Sequence, residues 1–156
     1  MDRRLSRGDG LTISTDPARL DLDRISGWLA ESYWASDRDR PTIERSLANS
    51  VAFGVYTPAG EQVALARAVT DAASFAWIAD VVVDAAWRGK GIGTWLMEAV
   101  VEHLGGLGVL RFALATRDAH AVYERVGFSA LRIPEIWMEI DRRATRPSRD
   151  DVSLPR

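Results

Sequence analysis

Between Asp21 and Glu31, Leu22, Ile25 and Leu29 return at helical spacing, and Asp21 stands where a helix cap belongs. Ile43 and Leu47 repeat the pattern in a shorter stretch, Pro41 to Ala48. The period then shortens. Leu11 to Thr15, Val51 to Tyr56, Glu61 to Thr70 and Phe75 to Asp84 are β-prone runs. Thr57-Pro58-Ala59-Gly60 joins two of them as a hairpin, and Asp71 to Ser74 makes the next turn. Val81-Val82-Val83 is unbroken, which predicts a strand buried on both faces.

A further helix is predicted from about Gly93 to Leu104, with Ile92, Leu96, Ala99, Val100 and Leu104 inward and Gly105-Gly106 as its stop. Val109 to Ala115 reads as a strand. Thr116 or Asp118 then caps a short helix through Arg125, which Gly127 ends in the left-handed conformation. Phe128 to Ala130 and Glu135 to Ile140 read as the last strands. Residues 1–10 lack periodicity and read as a flexible lead-in, and 142–156, charged and proline-containing, as a flexible tail. The folded domain is expected over 11–141. A β-meander followed by strand-helix-strand implies an α/β (mixed α+β) fold, a central mixed sheet with helices on both faces.

Composition narrows the chemistry. With 156 residues, 47% of them hydrophobic, the chain suits one domain with a real core. A net charge of -2 with interspersed signs offers no basic face for nucleic acid. The absence of cysteine removes disulfides, thiolate metal sites and cysteine nucleophiles. His103 and His120 are the only histidines, so no metal site is expected. No apolar run is long enough for a membrane span, and Met1 to Gly10 is too polar for a signal peptide, so the expected location is cytoplasmic.

The strongest chemical signal is Trp87-Arg88-Gly89-Lys90-Gly91-Ile92-Gly93-Thr94, between a predicted strand and a predicted helix. A helix start presents unpaired N–H groups and the positive end of the dipole, and so favours phosphate. Glycines admit close backbone approach to the anion, and Arg88 and Lys90 add charge. A dinucleotide fingerprint, G-x-G-x-x-G, fails, because its last position falls on Thr94 or on Leu96. A P-loop fails because Gly91 follows Gly89-Lys90. The spacing instead matches R/Q-x-x-G-x-G/A at Arg88, Gly91 and Gly93. Here the chain resembles the GNAT N-acetyltransferase family. A second segment, Thr116-Arg117-Asp118-Ala119-His120-Ala121-Val122-Tyr123-Glu124-Arg125-Val126-Gly127-Phe128, resembles that family's N-x-x-A-x-x-x-Y-x-x-x-G-F motif, with Thr116 in place of the usual Asn. The resemblance covers roughly residues 10–140.

It implies a GNAT-type acyl-CoA N-acyltransferase fold of about six to seven strands and about four helices. It also implies transfer of an acetyl group from acetyl-CoA to a primary amine, on a small molecule or a protein N-terminus. The backbone of Val81, Val82 and Val83 would pair with the pantetheine arm, and a backbone N–H near Val81 would polarise the thioester. Backbone N–H groups from Arg88, Gly89, Lys90, Gly91, Ile92, Gly93 and Thr94 would bind the pyrophosphate, with Thr116 a further cofactor contact. Tyr123 would be the general acid for the departing thiolate, since a phenol is protonated at neutral pH; the lesser alternative is a tyrosine that packs the helix on the sheet. Asp80 and His120 are base candidates, alongside water. Pairing through the Asp71 to Ser74 turn predicts Leu65 opposite Asp80 and Arg67 on the diagonal, so Asp80 and Arg67 also suit a plain ion pair. Arg67 could instead hold a substrate carboxylate, and Tyr33 and Trp34 could wall the acceptor site. Trp28 and Trp95 read as core; Trp77 and Trp137, on predicted strands, could line the acceptor pocket but read rather as core. A homodimer agrees with the resemblance. A non-catalytic acyl-CoA sensor and a different acyl donor are the alternative readings.

Overall fold

The computed structural model describes residues 4–144 and 148–152. The chain divides into two units, Met1–Leu114 and Ala115–Arg156. The first carries a six-stranded sheet in sequential order, β1 (Arg4–Ser6), β2 (Thr12–Ser14), β3 (Val51–Tyr56), β4 (Gln62–Thr70), β5 (Phe75–Val83) and β6 (Arg111–Ala113). Neighbours are antiparallel except β5 and β6, which run parallel. The sheet is therefore mixed, as expected.

Helices α1 (Leu22–Ala30) and α2 (Arg40–Ala48) start where the chain supplies side-chain acceptors. Asp21 accepts from the Arg24 N–H and Asp39 from the Thr42 N–H. Ile25 and Leu29 of α1 and Ile43 and Leu47 of α2 pack with Ala52 of β3 and Leu65 of β4. Phe53, the next residue of β3, meets His103 of α3 (Ile92–Gly106) edge-on at 5.5 Å. Successive strand side chains point to opposite faces, so α1 and α2 cover one face of the sheet and α3 the other. Among the described residues no helix is long and apolar enough to cross a membrane.

Gly54 is needed for close packing. Tyr56 lies two residues on, on the same face, with its ring fully buried and the Arg19 guanidinium 3.9 Å from its centroid. A Cβ on Gly54 would collide with the Tyr56 hydroxyl and ring. Gly54→Ala is expected to destabilise the protein by about 1–3 kcal/mol, read as a lower urea midpoint at unchanged m. An unshifted midpoint would show that Tyr56 moves aside freely.

Several expectations are corrected. The lead-in contains β1, which pairs Arg4, Leu5 and Ser6 with Ser14, Ile13 and Thr12; residues 1–3 of it, and 145–147 and 153–156 of the tail, lie outside the described residues. Helix α3 runs through Gly105 and Gly106. Its stop is Gly108, at φ +106°, where the N–H groups of Gly108 and Val109 bond back to Gly105 and Leu104. Only a residue free of a Cβ makes that left-handed step cheaply, and buried Val109 and Leu104 seal it. The strand expected over Val109 to Ala115 is confined to β6. Val81, Val82 and Val83 are half-buried rather than fully buried, and Trp77 is exposed rather than core. Trp28, Trp95 and Trp137 are half-buried.

The second unit holds helix α4 (His120–Glu124). No side chain caps its first turn; the Thr116 hydroxyl instead accepts from the Ala119 N–H at 3.1 Å. Gly127 takes the expected left-handed conformation, at φ +103°. The strands expected at Phe128 to Ala130 and Glu135 to Ile140 do not form. A 3-10 turn, Pro134–Ile136, interrupts the region, and Ile136, Met138 and Ile140 are exposed. Alternating apolar residues make a strand only where another strand pairs with them, and these have no partner strand among the described residues.

Candidate active site

Strand β5 is the axis of the site. On one side it pairs with β4 along most of its length. On the other, β6 reaches only Phe75, Ala76 and Trp77, so β5 has an open edge from Ile78 to Val83 among the described residues. Such an edge presents free N–H and C=O groups to an extended ligand. Half-burial of Val81 to Val83 follows from this opening.

Within that stretch the ladder is irregular. Leu65 pairs with Val82 and Arg67 with Ala79, so Asp80 and Val81 together oppose Ala66. The predicted opposition of Leu65 and Asp80 is thus wrong. The pairing around the Asp71–Ser74 turn is shifted by one, and a β-bulge shifts it again. Asp80 sits in the bulge at φ +51°, a left-handed conformation that Asp tolerates better than most residues. The bulge turns its side chain to meet Arg67, which sequence spacing alone placed on the diagonal.

The Asp80 carboxylate is 2% exposed and fully engaged. Its Oδ1 accepts from Trp34 Nε1 at 3.0 Å, and its Oδ2 from Arg67 Nε at 2.7 Å and Arg38 Nη1 at 2.8 Å. Arg67 also donates from Nη1 to the Ser50 hydroxyl at 3.0 Å. Burial pushes the Asp80 pKa up, but the charges and hydrogen bonds of Arg67 and Arg38 outweigh it and hold the carboxyl below its ordinary value. The structure therefore brings Trp34, Arg67 and Asp80 together. It adds Arg38, from the α1–α2 loop, and Ser50, from the turn between α2 and β3, which sequence reasoning missed because only the folding of those segments against β4 and β5 joins them. Tyr33 stands edge-on to Trp34 at 5.0 Å, with 40% of its surface exposed.

After Val83 the chain enters the glycine-rich turn. Asp84 caps a 3-10 turn (Ala85–Trp87) and accepts from Trp28 Nε1 and Arg24 Nη2, tying the turn to α1. The Trp28 hydrogen bond first, then the Ala86 N–H and the charges of Arg24 and Arg88, hold the Asp84 pKa below its ordinary value against its desolvation. Arg88 Nε donates to the Val83 carbonyl at 3.1 Å. Gly89 and Gly91 lie at φ +75° and +72°, and nothing approaches the position of a Cβ on either. No side chain caps α3, so the first N–H groups of the helix, at Ile92, Gly93 and Thr94, lack an intrahelical partner. Arg7 Nη1 donates to the Lys90 carbonyl at 3.0 Å, and the Arg7 guanidinium lies 5.2 Å from the Trp95 ring centroid. The N-terminal segment thus braces the turn. This brace, too, was not legible in the sequence. Open space, left-handed glycines, an uncapped helix start and two flanking cations fit a pyrophosphate.

In the second unit Tyr123 is half-buried, its ring edge-on to Phe128 at 6.0 Å. His120 precedes it by three residues, hence on a similar face of α4. The N–H groups of Val126 and Phe128 both donate to the Tyr123 carbonyl, so the turn at Gly127 folds back on the tyrosine.

A family model described as the Acetyltransferase (GNAT) family matches residues 19–128, more than half of the chain. The chain belongs to the GNAT family. The matched span contains both the glycine-rich turn and the Thr116–Phe128 segment. A protein of Gibberella zeae named as an acetyltransferase is 30% identical over 148 residues, covering 81% of this chain and 83% of that protein. The crystal structure of a GNAT protein of Xanthomonas campestris pv. campestris, also named as an acetyltransferase, is 39% identical with a TM-score of 0.79, over 84% of this chain and 92% of its own. The ribosomal-protein-S18-alanine N-acetyltransferase of Escherichia coli shares the fold at 24% identity and a TM-score of 0.64, over 76% of this chain and 77% of its own. The GNAT protein described here is accordingly an acyltransferase of a family that uses an acyl-CoA cosubstrate.

Proposed function

We propose that this GNAT protein transfers the acetyl group of acetyl-CoA to a primary amine. The observation that carries the reading is the open edge of β5 from Ile78 to Val83, running directly into an uncapped, glycine-rich helix start. One extended molecule with a pyrophosphate at one end and a thioester at the other suits both. The Val81–Val83 backbone would hold the pantetheine arm. The N–H groups from Arg88 to Thr94, Ile92 among them, would hold the pyrophosphate, with Arg88 and Lys90 countering its charge. Thr116 is an additional candidate contact to the cosubstrate.

In the reaction the amine loses a proton and its lone pair attacks the thioester carbonyl carbon. A backbone N–H near Val81 stabilises the resulting oxyanion. Collapse breaks the C–S bond, and Tyr123 gives its proton to the leaving sulfur. Of the base candidates, Asp80 already accepts three hydrogen bonds and has a lowered pKa, which disfavours proton uptake. The amine proton therefore goes to His120 or to water, and Asp80 positions the two arginines and Trp34.

The test is thiol release from acetyl-CoA with a panel of primary amines, repeated with propionyl- and succinyl-CoA. Release that depends on an amine and is fastest with acetyl-CoA is the expected result. Cofactor binding without release from any amine sinks the enzyme reading in favour of a sensor, and faster release from a longer thioester sinks the choice of donor.

A further inference from the structure

The buried cluster on the bulge holds two guanidinium groups and one carboxylate. Asp80 is the only acidic side chain ion-paired to either Arg67 or Arg38 among the described residues. Asp39, on the same loop as Arg38, is occupied in capping α2. One positive charge is therefore uncompensated in a place where Arg67 is 11% and Arg38 22% exposed. Each guanidinium has five N–H donors in a planar fork. Arg67 uses Nε and Nη1, and Arg38 only Nη1, so both terminal Nη2 groups and Arg38 Nε have no partner among the described residues.

A largely buried, uncompensated cation is costly to maintain unless an anion joins it. The forks are held by Asp80, and so are pre-organised for such an anion. Asp80 immediately precedes Val81, on the open edge of β5. Tyr33 and Trp34 stand beside the cluster as an aromatic wall.

We infer that the acceptor is a primary amine that also carries a carboxylate, bound by the free N–H groups of Arg38 and Arg67 beside the open edge of β5. This rests on the transferase reading for the fate of the amine, but the carboxylate site stands on the two arginines. One surplus positive charge matches a singly charged carboxylate better than a doubly charged phosphate, and a planar fork matches a planar anion. The carboxylate anchors the acceptor, and the amine projects toward the thioester.

The full-length protein is tested with matched pairs: phenylalanine and phenethylamine, tyrosine and tyramine, tryptophan and tryptamine, leucine and isoamylamine, each also as the amino-acid amide and the aminophosphonate. Thiol release from acetyl-CoA and calorimetric binding to the CoA-saturated protein are both read. Carboxylate members are expected to lead their amine partners by about 100-fold in kcat/KM or in affinity. Arg38→Gln should abolish that lead, bringing the carboxylate members level with their amine partners. Arg38→Lys, which keeps the charge and loses the fork, should restore part of it. A thermal melt of each variant checks folding. Carboxylate-selective binding without thiol release upholds the site and sinks the transferase reading. Turnover without a carboxylate preference, a preference that survives Arg38→Gln in a folded protein, a preference for the phosphonates, or no binding by any member overturns the inference.

Discussion

Tyr123→Phe is expected to lower kcat for acetyl transfer by about 100- to 1000-fold, with the dissociation constant of CoA unchanged. The variant removes one oxygen and keeps the ring, so the edge-on contact with Phe128 and the turn closed by Gly127 persist. A phenol in water has a pKa of about 10, so a tyrosine enters the reaction protonated, and its hydrogen bond to the sulfur stabilises the negative charge that builds as the C–S bond breaks. Without that proton the sulfur must leave as an anion or draw on water. The groups proposed to hold the pyrophosphate lie at the start of α3 and do not include Tyr123, so binding and chemistry separate cleanly. Single-turnover rates and a CoA titration make the measurement. A kcat within a factor of two of the parent assigns Tyr123 to packing alone.

Asp80→Ala carries the largest expected effect on stability. The substitution leaves Arg67 and Arg38 side by side without a counter-charge, and Trp34 Nε1 without its acceptor. Breaking a buried ion pair from one side costs about 3–5 kcal/mol, a large part of a total that runs to about 5–15 kcal/mol. The left-handed backbone adds to this, because Asp accepts φ +51° more readily than Ala. Asp80→Asn keeps an acceptor and the tolerance for that backbone, so its loss should be smaller. Urea melts give both values, and a loss below about 1 kcal/mol for Asp80→Ala would remove the cluster from the list of structural anchors. The same melts have a pH signature. A carboxyl whose folded pKa is depressed contributes stability that is fully present above its unfolded pKa of about 3.9. That contribution is lost as pH falls through the lower, folded value. The parent should therefore weaken on acidification below pH about 4 more steeply than Asp80→Asn does.

Local chemistry was legible wherever one turn of chain contains its own cause. Asp21 bonds the Arg24 N–H, three residues away, so its capping role could be read from spacing. Gly127 could be read because a left-handed residue ends a helix whatever surrounds it. The glycine-rich turn belongs to the same class: strand, left-handed glycines and helix start are contiguous, and excluding the dinucleotide and P-loop spacings narrowed its ligand. Gly105-Gly106 misled because glycine permits a helix stop without enforcing one; the closing hydrogen bonds come from Gly108, three residues from Gly105, and from Val109.

Where two distant segments had to meet, the one-dimensional pattern ran out. Strand β1 pairs through Leu5 and Ile13, and its short polar sequence carries no period of its own. Glu135 to Ile140 has the alternation of a strand but no partner strand among the described residues, so it stays irregular. The bulge at Asp80 depends on β4 as much as on β5, and a one-residue shift in pairing redirects every side chain beyond it.

By itself, then, the sequence determined the order of most elements, the glycine-rich helix start and the resemblance to the GNAT family, because each rests on residues within a few positions of one another. Only the tertiary structure decided that, among the described residues, β5 is open from Ile78 to Val83, Asp80 is locked by Trp34, Arg38 and Arg67, and one guanidinium charge there is left over. Those facts are sums over segments far apart in the chain, and a charge balance exists only once the charges have been brought together.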